Sequence, residues 1–306
     1  MTALRFDGVI ASTALPMTTS FQPDHKALRE YVTWLLGQGV IGLAVNADTG
    51  EGAHLSRPER LTVVETVRDA AGDHAAVVSG LIAGYTDEAV RLARDIKAAG
   101  ADGLLVFPPP AFVGDPLPPE LVCRYYASVA ETGLPLIAFN LAPALGGVVL
   151  GPATLTRLCG AGLIAAVKEA SFDAATYVAS RDAVRAAARP VALLSGNDNF
   201  IYESFLLGAD GCLLGYAGLA ADLTCRVLAH VKGRNLAEGE RLARDHLQPL
   251  AQVLFAPPMR NSRGRIKEGL ALLGVIKETT VRPPLLPLDP AERAAVASAM
   301  KAAGLL

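Results

Sequence analysis

Short apolar runs recur along this chain, introduced in most cases by glycine and followed by a stretch rich in Ala, Leu, Arg and Glu. Eight are marked, at 8–16, 42–48, 75–82, 103–108, 135–141, 163–171, 191–198 and 211–218. Their spacing is mostly roughly thirty residues, the length of one βα unit. Three share a local signature, Gly39-Val40-Ile41-Gly42, Gly100-Ala101-Asp102-Gly103 and Gly208-Ala209-Asp210-Gly211. In each, the first glycine suits a left-handed helix C-cap and the second opens a buried strand. Between the runs lie amphipathic segments. In 87–98, Ala89, Leu92, Ala93 and Ile96 recur at helical spacing while Arg91, Arg94, Asp95 and Lys97 take the other face.

Near-continuous apolar strands alternating with helices predict a parallel sheet covered on both faces. Eight such units favour closure into an α/β (β/α)8 TIM barrel, and no GxGxxG turn follows a strand to argue for an open dinucleotide-binding sheet. After Gly218 the pattern turns to helix alone, over 221–232, 237–255, 265–273 and 290–303, with a connector at Pro283, Pro284, Pro287 and Pro290. The chain therefore divides into a barrel over 1–232 and a C-terminal helical extension over 233–306 packed on it.

Composition narrows the chemistry. At 306 residues, with 51% hydrophobic and 19% charged positions, the chain can bury a large core. A net charge of -2, with no block of like charges, argues against a nucleic-acid partner or a polybasic membrane anchor. Glycine, proline or charge breaks every apolar run before the roughly 20 residues a membrane span needs. The N-terminus lacks a basic region and a long apolar segment, so no signal peptide is expected, and a cytoplasmic location is. Cys123, Cys159, Cys212 and Cys225 have neither CxxC pairing nor metal-type spacing with the five histidines and are read as buried free thiols.

In a barrel of this kind the site lies at the C-terminal ends of the strands. Polar residues there are Asp48, Thr49, Gly50 and Glu51 after the second strand, Asn140 after the fifth, Lys168, Glu169 and Ser171 at the sixth, Ser195, Asn197 and Asp198 at the seventh and Tyr216 at the eighth. Lys168, one of seven lysines, ends the run Leu163-Ile164-Ala165-Ala166-Val167. Strand alternation places Ile164, Ala166 and Lys168 on one face, aimed into the barrel mouth. Desolvation there would keep some neutral amine for Schiff-base formation with a ketone. A lysine that snorkels or pairs with a carboxylate is the alternative reading. The run Asn46-Ala47-Asp48-Thr49-Gly50-Glu51-Gly52 could turn backbone N–H groups toward an anion. Asp198 reads more readily as a helix N-cap than as an acid.

Together these segments resemble the dihydrodipicolinate synthase and N-acetylneuraminate lyase family of class I aldolases, over essentially the whole chain. Val167-Lys168-Glu169-Ala170-Ser171 is similar to the family's Schiff-base segment, Asp48-Thr49-Gly50-Glu51 to its carboxylate-binding turn, and Leu194-Ser195-Gly196-Asn197-Asp198 to its seventh-strand loop. Gly208-Ala209-Asp210-Gly211 resembles the lead into the eighth strand. The resemblance implies a cofactor-free lyase with no metal, in which pyruvate or a pyruvate-yielding 2-oxo acid forms an imine with Lys168. The substrate would be held by Thr49, Gly50, Glu51, Asn140, Ser195, Gly196 and Tyr216. It also implies a homo-oligomer, a dimer or a tetramer.

The sequence departs from that pattern in one connected set of positions. Phe139 stands before Asn140 where the family has a catalytic tyrosine, Asp48 replaces the first threonine of the turn, and 107–112 offers no tyrosine to a partner subunit. No arginine appears in 141–147 to hold an aldehyde substrate's carboxylate. The expectation is therefore a lyase other than authentic dihydrodipicolinate synthase, with Asp48 as acid or base in place of the phenol, or as a structural ion pair to Lys168. Tyr216 and His54 are weaker substitutes. A 2-oxo acid dehydratase or deaminase, and a degenerate 2-oxo acid binding protein, are alternatives, as is metal chemistry on Asp48, Glu51, His54 and Asp198. Phe107, Phe112, Phe139 and Phe172 near strand ends predict a mouth less polar than one built for a polyhydroxylated sugar acid.

Overall fold

The computed structural model describes residues 4–306. Eight parallel strands close into a barrel in sequence order. They are β1 Val9–Ser12, β2 Gly42–Val45, β3 Ala76–Leu81, β4 Gly103–Val106, β5 Leu136–Leu141, β6 Ala166–Ala170, β7 Ala192–Ser195 and β8 Gly211–Leu214. The outer helices are α1 His25–Leu36, α2 Arg57–Ala71, α3 Thr86–Ala98, α4 Pro119–Ala130, α5 Pro152–Gly160, α6 Ala174–Arg185, α7 Ile201–Leu206 and α8 Ala217–Lys232. Each strand is shorter than its apolar run, because the runs include the loop that leads in or out. In α3 the four apolar positions at helical spacing are the four buried ones.

The helix ends follow ordinary capping chemistry. Ser56 and Glu59 form a reciprocal capping box at the start of α2, and Asp24 and Asp173 accept amides at the starts of α1 and α6. Gly39, Gly100 and Gly208 all adopt positive φ, so each repeated signature ends its helix in the left-handed geometry that only glycine takes at little cost.

Alternation sorts the strand residues into two layers. Ile10, Ala44, Val78, Leu105, Ile137, Ala166, Leu194 and Leu213 fill the interior, and the opposite face of each strand packs under the helices. A fully buried aliphatic side chain contributes about 1.5–3 kcal/mol relative to an exposed one, so this double burial is the main stabilising term.

Beyond α8 the chain continues through α9 Leu236–Leu242, a π-helical turn Ala243–Leu247, α10 Gln248–Leu254, α11 Ser262–Leu272 and α12 Pro290–Ala302. The single helix expected over 237–255 is thus divided. Pro249 has no amide to donate and its ring crowds the preceding turn, which accounts for the widening just before it. Helix α11 packs on α8 and α12, which brings its N-terminal turn to the C-terminal rim of the barrel. No described helix is long and apolar enough to cross a membrane.

Candidate active site

Lys168 sits near the C-terminal end of β6 and points into the barrel. Its register partners are Phe139 on β5 and Leu194 on β7, both lining the interior. Ile164 does not share that face: β6 begins only at Ala166, and Ile164 packs in the outer layer. The Lys168 side chain is buried, and its Nζ lies 4.2 Å from the centre of the Phe139 ring. Among the described residues it has neither a carboxylate within ion-pair distance nor a hydrogen-bond acceptor. Burial pushes the amine down to about 8, opposed by the more distant charges of Asp198 and Asp48.

Room for this side chain comes from Gly196. A Cβ there would stand 2.7 Å from Lys168 Cε and 2.9 Å from Ala170 Cβ. Gly196 therefore shapes the channel through which the lysine reaches the mouth.

The turn after β2 forms the second wall. Asn46 and Glu51 both take positive φ, and Glu51 N–H donates to Asp48 O at 3.0 Å while Gly52 N–H donates to Ala47 O at 3.0 Å. The intervening amides of Thr49 and Gly50 meet no acceptor among the described residues. The Thr49 hydroxyl lies 2.8 Å from Ser12 Oγ and reaches the carbonyls of Ser12 and Thr13, which fixes the turn against the end of β1. Two free amides on a rigid turn are suited to receive an anion.

Glu51 belongs to a different construction. Its carboxylate is fully buried and accepts from Lys267 Nζ at 2.5 Å and from the Arg282 amide at 2.7 Å, so it ties the turn to the C-terminal extension. Lys267 also donates to Thr280 O at 2.6 Å. The turn is thus anchored by residues more than two hundred positions away.

Asp48 is placed otherwise than expected. Its side chain is 45% exposed and pairs with Arg263 of α11, whose guanidinium also donates to the Asp48 carbonyl at 2.9 Å. It is neither buried nor bonded to Lys168. Both Asp48 and Arg263 line a cavity of about 450 Å³ with His54, Arg60, Phe107 and Leu141. Phe107, which lines this cavity, packs edge-on against Phe139 with ring centroids 4.9 Å apart. Phe172 also packs on the inner layer, whereas Phe112 lies in the outer core.

Three other expected ligands turn away from the mouth. Asn140 donates to Ser180 Oγ at 3.1 Å and accepts the Leu150 amide at 2.5 Å, and Ser195 accepts from Ser204 Oγ at 2.7 Å. Both point to the helical layer, as strand alternation requires once Phe139 and Leu194 face inward. Tyr216 is buried in the outer core with its hydroxyl unpartnered among the described residues, and burial raises its phenol far above the ordinary value. Glu169 ties the same layer together: its Oε2 accepts from Asn197 Nδ2 at 2.6 Å and its Oε1 from the Ser171 amide at 3.2 Å.

Asp198 is buried, and its Oδ1 accepts the Tyr216 amide at 2.8 Å. It therefore caps the start of α8, not α7, the helix that follows it in the chain. Desolvation raises its carboxyl to about 7, against the opposing pull of that amide and of Lys168. Asp48, Glu51, His54 and Asp198 do not converge, and among the described residues no group of three or more His, Cys, Asp or Glu is arranged to hold a metal ion.

Known proteins share this architecture along its length. The family model described as the Dihydrodipicolinate synthetase family matches residues 5–303. The chain is similar to a 4-hydroxy-tetrahydrodipicolinate synthase of Nitrobacter hamburgensis, 33% identical over 283 residues, 92% of each chain. Among solved structures it is similar to a dihydrodipicolinate synthase from Acinetobacter baumannii complexed with pyruvate, with TM-score 0.86, 29% identity and coverage of 99% and 100%. It also resembles a prophage protein of E. coli K12 in complex with pyruvate, with TM-score 0.89, 25% identity and the same coverage. With its closed eight-stranded barrel, this chain belongs to the dihydrodipicolinate synthetase family, whose members are lyases.

Proposed function

We propose that the protein is a Schiff-base-forming lyase of the class I aldolase type, acting on pyruvate or on a 2-oxo acid that yields it. The observation that carries this reading is Lys168: a buried amine inside the barrel mouth, without a counter-ion among the described residues, lowered to about 8. At that value roughly a tenth of the amine is neutral at pH 7, against well under a thousandth for an ordinary lysine. Neutral amine is the form that attacks a ketone. The substrate carboxylate would rest on the Thr49 and Gly50 amides, and the resulting iminium would draw electrons from the bond next to C2. The pyruvate complexes of two structural relatives support pyruvate as the first candidate.

Borohydride added with pyruvate should attach a reduced pyruvyl group to Lys168, located by peptide mass analysis; no adduct with any of several 2-oxo acids would overturn the reading. The relatives' name favours a second reading, formation of 4-hydroxy-tetrahydrodipicolinate itself. The first reading excludes that product, because Phe139 carries no hydroxyl and 141–147 holds no arginine. Direct assay for the product decides between them. Assembly as a dimer or tetramer, and action in the cytoplasm, belong to the same proposal; light scattering tests the assembly.

A further inference from the structure

The inference that follows rests on the Schiff-base reading and names the class of 2-oxo acid that the site takes. The cavity of about 450 Å³ at the barrel mouth is lined by residues that directly follow β3 and β4 and by the last residue of β5. Its size falls within the roughly 300–1,000 Å³ of small-molecule sites. It adjoins the reacting amine. Phe107 of its wall packs on Phe139, whose ring centre is 4.2 Å from Lys168 Nζ, and Asp48 of its wall precedes Thr49, one of the two residues with open amides. The apolar part of the lining is built from Ile82, Phe107, Leu141 and Leu145. Pyruvate has no group beyond its methyl carbon to reach this space.

The charges on the wall are not balanced. Asp48 is paired with Arg263, Glu51 with Lys267, and Glu88 accepts the Gly84 amide at 2.7 Å. His54 Nδ1 lies 3.8 Å from Glu51. Arg60 of α2, by contrast, has no carboxylate within ion-pair distance among the described residues. Its Nη1 donates to Ile82 O at 2.9 Å, while its buried Nε and its Nη2 meet no acceptor among the described residues. Burial pushes the guanidinium down, opposed by the more distant charge of Glu88, and it stays charged. Nε and Nη2 form one edge of the fork, the edge with which Arg241 holds both oxygens of Glu238 at 2.9 and 2.6 Å. A desolvated charge with that edge unfilled favours a bound carboxylate.

We propose that Arg60 is a specificity-determining residue: it seats a second carboxylate, carried by the part of the substrate beyond C3, so that the preferred substrates are dicarboxylic 2-oxo acids with a short aliphatic chain between their ends. Asp48, Glu51 and Glu88 on the same wall disfavour a phosphate, which brings about two negative charges where a carboxylate brings one. The apolar lining matches the chain that joins the two carboxylates. The seat lies on α2, apart from 141–147, and does not supply the hydroxyl that Phe139 lacks.

The test measures, on the full protein, the concentration of each 2-oxo acid that half-saturates borohydride trapping at Lys168. 2-Oxoglutarate is compared with 2-oxopentanoate, and 2-oxoadipate with 2-oxohexanoate, pairs of equal chain length that differ in the second carboxylate. At one length or both, the dicarboxylate should half-saturate at a concentration about tenfold or more below that of its counterpart. Arg60→Gln should remove that preference, raising the dicarboxylate's value about 10–100-fold while pyruvate's stays within about threefold. If Arg60 only braces the Ile82 carbonyl, the two values move together and the assignment is overturned. It is overturned equally by a wild type with no preference at either length, or by a preference that survives in Arg60→Gln, and in each of these cases the Schiff base stands. Should Arg60→Gln not fold, Arg60→Lys replaces it, keeping the charge without the fork, and an undiminished preference there overturns the assignment. Absence of trapping with every 2-oxo acid overturns the Schiff-base reading, and calorimetry with glutarate then decides the seat: binding that Arg60→Gln removes upholds it, and any other result overturns it.

Discussion

Two lysines are buried in this protein, and their surroundings are opposite. Lys267 of α11 is fully enclosed with Glu51 at 2.5 Å and the Thr280 carbonyl at 2.6 Å, while Lys168 of β6 has the face of Phe139 and, among the described residues, no acceptor. Burial lowers both amines, but at Lys267 the Glu51 carboxylate opposes the shift directly. The contrast teaches that burial alone does not make a lysine reactive. A paired ammonium is committed to holding the carboxylate-receiving turn in place, and an unpaired one is free to lose its proton and attack.

The strongest way to break the comparison is to exchange each amine for an apolar chain of similar length. Lys168→Met is expected to abolish borohydride trapping altogether while the urea midpoint stays level or rises, since it removes an unpaired buried amine. Trapping that persists elsewhere in the chain would refute the assignment of the nucleophile. Lys267→Met should do the reverse, costing about 3–5 kcal/mol in urea unfolding because Glu51 is left buried and uncompensated. Lys267→Met combined with Glu51→Gln should recover part of that loss, and the folded fraction of either variant should still trap pyruvate.

Smaller changes sharpen the picture at Lys168. Gly196→Ala puts a methyl 2.7 Å from Cε, and the displaced lysine should trap pyruvate about 10–100-fold more slowly, a cost of about 1–3 kcal/mol. The smallest effect concerns pH. The trapping rate of the wild type should rise with an apparent pKa near 8, the sign expected when only the neutral amine reacts. Phe139→Leu removes the ring that favours the ammonium, and since such a contact contributes about 0.5–2 kcal/mol, that midpoint should fall by roughly 0.4–1.5 units. A midpoint that stays fixed or moves up would show that the ring does not face a charged amine.

Strand alternation made Lys168 legible in the sequence, and glycine spacing did the same for the helix ends at Gly39, Gly100 and Gly208. The same rule, applied one residue further, already places Asn140 and Ser195 on the outer face beside inward Phe139 and Leu194. Position at a strand end does not by itself separate the inner face from the outer. Arg263, Lys267 and Arg282 carried no local signal. Their carboxylate partners Asp48, Glu51 and Glu59 lie 215, 216 and 223 positions away, and nothing in the composition or period of a helical extension marks which cation meets which carboxylate.

The sequence by itself determined what depends on near neighbours: the βα period, the caps, and the inward direction of Lys168. Tertiary structure decided which buried charges are paired. It tied Asp48 to Arg263 and Glu51 to Lys267, and it left Asp198 enclosed with no ion-pair partner among the described residues. The physical reason is that the state of an ionisable group depends on its desolvation and on charges within a few ångströms, and a closed barrel with an extension folded over its rim sets those distances independently of chain separation.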